Sequence, residues 1–215
     1  MAVTAILVDG AFYRRKYAKG CSQDPKKAAE ALVHYCYRHL HEHQRNHTLY
    51  RIFYYDCPPS SKKVFHPLHN RSFDLAKSEH NKWMHDFLNE LRQKRKVALR
   101  LGYLDEVNAA YTLTQEAARS LVLKKKTVSD LTDDDFIISF KQKGVDMRIG
   151  MDIASLSYKH QVTQIVLIAG DADFVPAAKL ARREGIDFVL DPLGHAIKSD
   201  LFEHIDGKRS CGDPY

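Results

Sequence analysis

The sequence predicts an α/β sandwich built around a mostly parallel sheet, with helices on both faces. Three observations carry this. Val3 to Val8 and Ile165 to Ala169 are almost unbroken apolar runs, the pattern of strands covered on both faces. Candidate helices with one apolar stripe lie between the strands, and Asp, Gly and Pro mark the junctions. Strands that alternate with helices need crossover connections, and crossovers make parallel sheets.

The first strand ends at Asp9-Gly10. Asp24-Pro25 supplies an N-cap and a first-turn proline for a helix with Ala29, Leu32, Val33, Cys36 and Leu40 at helical spacing. Ile52-Phe53-Tyr54-Tyr55 is a second strand, stopped by Asp56 and Pro58-Pro59. Residues 60–76 read as a polar, irregular loop. A helix from about Ser78 carries Trp83, Met84, Phe87, Leu88 and Leu91 as one stripe. Val97 to Leu104 reads as a third strand, and a helix is expected from Thr114 to Leu123. An acidic turn, Asp133-Asp134-Asp135, precedes a short strand from Phe136 to Phe140, closed by Gly144.

Asp146 opens a helix with Met147, Gly150, Met151, Ala154 and Tyr158 on one side. The strand at Ile165 runs into Gly170-Asp171-Ala172-Asp173. A helix from Phe174 to Glu184 follows, with Pro176 in its first turn and Gly185 just past its end. Phe188 to Leu190 is a further strand, and a final helix is expected from about Ala196 to Ile205. There is no internal repeat. The expectation is a single domain over residues 1–206, with a basic middle region or insert at about 60–134 and a tail at 207–215.

A chain of 215 residues builds a core without disulfides or metal. Its 44% hydrophobic and 28% charged content excludes a disordered protein. No apolar run approaches the ~20 residues that span a bilayer. The first strand follows Met1 with no basic leader, so a cytoplasmic location is expected. Cys21, Cys36, Cys57 and Cys211 form no Cys-x-x-Cys pair, which argues against a zinc ribbon and a disulfide framework. The run His39, His41, His43 and His47 reads as a solvated helix face, because residues two apart on a helix diverge. No Gly-x-Gly-x-x-Gly or P-loop pattern is present.

The net charge of +6 is concentrated. Residues 62–126 hold 14 basic and 7 acidic side chains, so the remainder is close to neutral. Such asymmetry suits a polyanion. The candidate contacts are Lys124, Lys125, Lys126, Arg92 and Arg95, with Arg14 outside that stretch. A solvated, lysine-rich surface is the competing reading.

Ligands of open parallel sheets bind beyond the carboxyl ends of the strands. Asp9 follows the first strand, Asp171 and Asp173 follow the strand at Ile165, and Asp146 starts a helix. If the two strands are neighbours, four carboxylates meet at one edge, where they repel and raise one another's pKa values. A divalent cation relieves this, and an all-oxygen set suits Mg²⁺ or Mn²⁺. Asp152 lies six positions after Asp146, about 240° around the helix, so both cannot face the same way. It either supports the ligands from behind or is held in a salt bridge.

Val8-Asp9-Gly10, Lys143-Gly144-Val145-Asp146 with Asp152, and Ala169-Gly170-Asp171-Ala172-Asp173-Phe174-Val175-Pro176 resemble, in order and chain position, the NYN domain, the LabA-like branch of the PIN-like nucleases. The resemblance covers residues 3–58 and 136–206; residues 60–134 match only in their general strand and helix pattern. It implies a Rossmann-like (PIN-like) sheet and a metal-dependent ribonuclease that hydrolyses RNA, single-stranded RNA foremost. Asp9, Asp146, Asp171 and Asp173 would be its catalytic and metal-holding set. Many members carry Asn in an Asp-Gly-x-Asn pattern where this chain has Phe12, with Tyr13 or Arg14 as the available substitutes.

That departure supports the alternative, a catalytically weak or inactive NYN-type protein that binds nucleic acid or regulates. A phosphohydrolase acting on small phosphates ranks last, because the second Asp such chemistry needs after the first strand is Ala11 here. Residues 105–134 serve equally well, on sequence grounds, as a lid or as an interface in a homo-oligomer.

Overall fold

A computed structural model describes residues 2–17, 24–42 and 45–212. The first half runs β1 Val3–Asp9, α1 Gly10–Tyr17, α2 Pro25–Arg38, β2 His41–Glu42, β3 Arg45–Asn46, β4 Thr48–Asp56, β5 Lys63–His66, β6 Arg71–Asp74, α3 Glu79–Gln93 and β7 Val97–Leu101. The second half runs β8 Tyr103–Leu113, α4 Gln115–Val122, β9 Phe136–Lys143, α5 Val145–Tyr158, β10 Gln164–Ile168, α6 Val175–Arg183, β11 Asp187–Asp191, α7 Ser199–Glu203 and β12 Gly207–Lys208.

Six strands form one parallel sheet in the order β12-β11-β10-β1-β4-β7. The expected α/β sandwich is therefore the fold. Alternation along the strands explains its two cores. Ala5, Leu7, Phe53, Tyr55, Ile165 and Leu167 meet α5 and α6 on one face. Ile6, Val8, Ile52, Tyr54, Val166 and Ile168 meet α1, α2 and α3 on the other. From β1 the chain builds outward through β4 and β7, then returns to the opposite side of β1 through β10 and β11. The crevice between β1 and β10 is thus the topological switch point, where α/β sheets take their ligands.

Several expectations change. Residues 60–76 are not a simple loop, because β5 and β6 pair as an antiparallel hairpin. The middle region is not one insert either. Within it, α3 packs on α2 and β7 joins the main sheet, while β5–β6 and the long antiparallel β8–β9 pair lie outside it. Both hairpins leave the sheet from the carboxyl ends of β4 and β7. The proposed tail begins with a sheet strand, since Gly207–Lys208 pairs with β11. Arg209 binds the carbonyl of Arg38 at 3.1 Å and Ser210 Oγ donates to Asp191 at 2.6 Å, which holds the segment down.

The final helix is only Ser199–Glu203. In α5 the buried stripe is Val145, Ile149, Ile153 and Leu156, whereas Met147, Met151 and Tyr158 face outward. His39 is buried rather than solvated and its Nε2 lies 2.9 Å from Asp191; His43 lies outside the described residues. Among the described residues, no helix is long and apolar enough to cross a membrane.

Candidate active site

The carboxyl ends of β1 and β10 sit side by side, Val8 opposite Ile168. Asp9 closes β1, and its Oδ1 accepts the amide of Phe12 at 3.0 Å, which stitches the strand to the first turn of α1. Beyond β10 the chain makes a single 3-10 turn at Ala172–Phe174. Asp171 caps it, accepting the Asp173 amide at 3.1 Å, and so both carboxylates hang from one short turn. Asp146 arrives from a third direction, in the first turn of α5. Its helix starts at Gly144, whose φ of 76° is a left-handed conformation open to glycine at low cost. A Cβ there would also stand 2.3 Å from Arg148 Nη1.

Electrostatics shows that these groups are neighbours. Burial pushes the Asp9 carboxyl up; the Phe12 amide opposes this, and Asp56 and Asp146 push it up further. The Asp146 carboxyl is also raised, by desolvation and then by Asp171 and Asp173. Four like charges share one edge, as the strand-end spacing implies. Among the described residues, three ligand atoms within 4.8 Å of one another occur at His66, His69 and Asp133, not within the aspartate set.

Asp56 is the acidic residue that sequence reading passed over as a mere strand stop. It ends β4 next to Asp9 and is fully buried. Arg14 holds it with two bonds of 2.9 Å, Tyr54 Oη donates at 2.8 Å, and the Cys57 amide donates at 2.8 Å. Gly10 makes room for this cluster, since a Cβ would lie 2.5 Å from Tyr54 and 2.6 Å from Asp56. Arg14, expected as a nucleic-acid contact, instead serves Asp56 as a counter-ion through Nε and Nη2.

Other expected contacts move as well. Arg92 and Arg95 sit at the carboxyl end of α3, beside the start of β7, and Arg95 lines a groove with Leu49 at the start of β4. A crossover helix returns the chain to the amino edge of a parallel sheet, so these arginines lie opposite the aspartates. Lys126 is engaged by Asp135 at 2.5 Å. Lys124 and Lys125 stay exposed on the turn after α4. Asp152 accepts from Tyr55 Oη at 2.7 Å and pairs with Arg100 at 2.9 Å. It takes the salt-bridged of its two expected places.

Two grooves flank the edge. One, of about 500 Å³, is lined by Phe12, Arg15, Lys16 and His195. The Phe12 ring lies 5.7 Å from that of His195 and passes over Gly170, where a Cβ would come within 2.5 Å of it. The other, of about 440 Å³, runs between α5 and α6 from Asp146 and Asp173 past Met147, Met151 and Pro176. The signal for the first groove was legible as Arg14-Arg15-Lys16 at the end of α1. A larger groove of about 780 Å³ lies at the amino edge, around Arg182 and Asp187, away from the aspartates.

The model of one protein family, the NYN domain, matches residues 73–193, more than half of the chain. The match takes in much of the middle stretch, which resembled the family only in general pattern, and stops short of Val8-Asp9-Gly10. Among solved structures, a protein of unknown function from Vibrio parahaemolyticus is similar over 100% of this chain and 95% of its own. The TM-score is 0.49 and the identity 14%. A search of curated proteins returned no match.

Proposed function

Since the chain belongs to the NYN domain family, a nuclease-like family, we propose that it is a metal-dependent ribonuclease acting at the carboxyl edge of its sheet. One observation carries the reading. Asp9, Asp146, Asp171 and Asp173 lie along the switch-point edge of the sheet; burial raises the Asp9 carboxyl, with Asp56 and Asp146 adding to it, and burial raises that of Asp146, with Asp171 and Asp173 adding to it. Carboxylates that raise one another across such an edge fit a hard divalent cation, Mg²⁺ or Mn²⁺. All four would hold it. A cation bound there supplies a Lewis acid for the phosphate and a more acidic bound water.

The chain's own residues do the rest. Phe12 N–H and the cap at Asp171 fix two carboxylates in place. Arg14 neutralises Asp56, so that a fifth negative charge does not confront the substrate. Arg15 and Lys16 receive flanking phosphates, and Phe12 and His195 offer ring faces to an unstacked base. Lys124 and Lys125, exposed on the turn after α4, offer further phosphate contacts. No side-chain nucleophile is needed.

Purified protein incubated with labelled single-stranded RNA tests the proposal. Cleavage should require Mn²⁺ or Mg²⁺, stop with chelator, and fall at least ~100-fold in Asp171→Asn. Binding without cleavage under all metal conditions would leave a nucleic-acid-binding protein and overturn the ribonuclease. Full cleavage in chelator would overturn the metal.

A further inference from the structure

We propose that His66, His69 and Asp133 form a second metal site, suited to Zn²⁺ and distinct from the aspartate edge, that ties the β5–β6 hairpin to the turn leading into β9. His66 ends β5, His69 stands in the hairpin turn three residues on, and Asp133 opens the 3-10 turn Asp133–Asp135 before β9. One ligand atom from each lies within 4.8 Å of the other two. Two imidazole nitrogens and one carboxylate oxygen are a borderline donor set. That set favours Zn²⁺, with Co²⁺ as its spectroscopic substitute, over Mg²⁺, which prefers oxygen alone.

The buried imidazole is the second observation. His66 is 4% exposed, and its Nδ1 has no hydrogen-bond partner. Its Nε2 stops 3.9 Å from Asp133, beyond hydrogen-bond length. Asp133 instead contacts His69 Nε2 at 2.5 Å. A plain His69–Asp133 ion pair therefore leaves the His66 imidazole without a hydrogen bond, and a cation placed between the three residues engages it.

The spacing is close to what zinc requires. Ligands at 2.0–2.1 Å from a tetrahedral ion stand about 3.3 Å apart, and the two contacts to Asp133 bracket that value. Asp133 and His69 are 66% and 34% exposed, so both have room to adjust by less than about 1 Å. Around His66 pack Tyr111, Phe136 and Phe73, with ring centroids at 4.1, 5.1 and 5.6 Å. This apolar shell limits competition from water. The fourth position is left to a solvent molecule.

Calorimetric titration of chelator-stripped protein with Zn²⁺ alone tests the site, and Co²⁺ absorbance reports its geometry. The wild type should bind one equivalent at this site, beyond any taken up by the aspartate edge, and give the intense visible bands of four-coordinate Co²⁺. His69→Ala and Asp133→Ala, both at exposed positions, should each weaken binding at least ~100-fold while melting normally without metal. Asp9→Asn/Asp171→Asn should keep this equivalent and its Co²⁺ bands. Three results would overturn the site: no stoichiometric uptake by the wild type, unchanged affinity in His69→Ala, or loss of the equivalent in the aspartate double variant.

Discussion

Replacing Arg14 by Met decides whether this guanidinium is a structural counter-ion or a phosphate contact. It donates twice to Asp56 at 2.9 Å, and the Asp56 side chain is 0% exposed. Methionine keeps most of the packing of the stem but leaves the carboxylate with only two neutral donors, Tyr54 Oη and the Cys57 amide. Removing one partner of a buried pair costs about 3–5 kcal/mol, because the remaining charge is stranded. For a chain of this length each kcal/mol moves the melting temperature by about 2–4 °C, so the expected fall is roughly 6–20 °C. Thermal and urea unfolding measure it. Arg14→Met/Asp56→Asn should recover most of the loss, since no charge is then left to strand. A variant that melts within ~1 °C of the wild type yet loses RNA affinity would refute the reasoning.

Gly10→Ala should destabilise by about 3 kcal/mol, because its Cβ would meet the buried Tyr54 and Asp56 at 2.5 and 2.6 Å. Gly150→Ala in α5, with nothing within 4 Å, should be neutral or stabilising by up to ~1 kcal/mol; chemical denaturation compares the two. Asp9→Asn should stabilise the metal-free protein. The sign follows from a raised carboxyl, which binds its proton more tightly in the fold. The wild type therefore loses stability as pH rises through the ordinary and then the raised value, and the variant's advantage should grow as pH rises above the ordinary carboxylate value of about 4. Arg15→Ala/Lys16→Ala should reduce the log–log salt slope of RNA binding by about 0.7 per lost phosphate contact, whereas Arg92→Ala/Arg95→Ala at the opposite edge should leave it unchanged.

The sheet was legible because β1 and β10 are buried on both faces, so that Val3 to Val8 and Ile165 to Ala169 carry almost no polar residue. The aspartates were legible for a related reason: a carboxylate directly after such a run stands out. Asp56 did not, because it ends a strand of aromatic residues and its importance depends on Arg14, 42 positions earlier. The outward face of α5 misled in the other direction. Met147, Gly150, Met151 and Ala154 keep helical spacing as well as Val145, Ile149, Ile153 and Leu156 do, and only the sheet decides which stripe it covers. Lys63-Val64-Phe65-His66 alternates too briefly to announce a strand, yet Val64 and His66 turn inward once β6 pairs with it. A charge count along the chain does not say which edge of a parallel sheet a helix end reaches, and the structure sets Arg92 and Arg95 at the edge opposite the aspartates.

On the proposed function, Asp9, Asp146, Asp171 and Asp173 hold a divalent ion at the switch point between β1 and β10. Anomalous diffraction from a crystal soaked in Mn²⁺ measures this directly. A peak bonded to carboxylate oxygens of that set is expected in the wild type, and none there in Asp9→Asn/Asp171→Asn. A wild-type map with no peak among the four aspartates, or with manganese only at His66, His69 and Asp133, would contradict it.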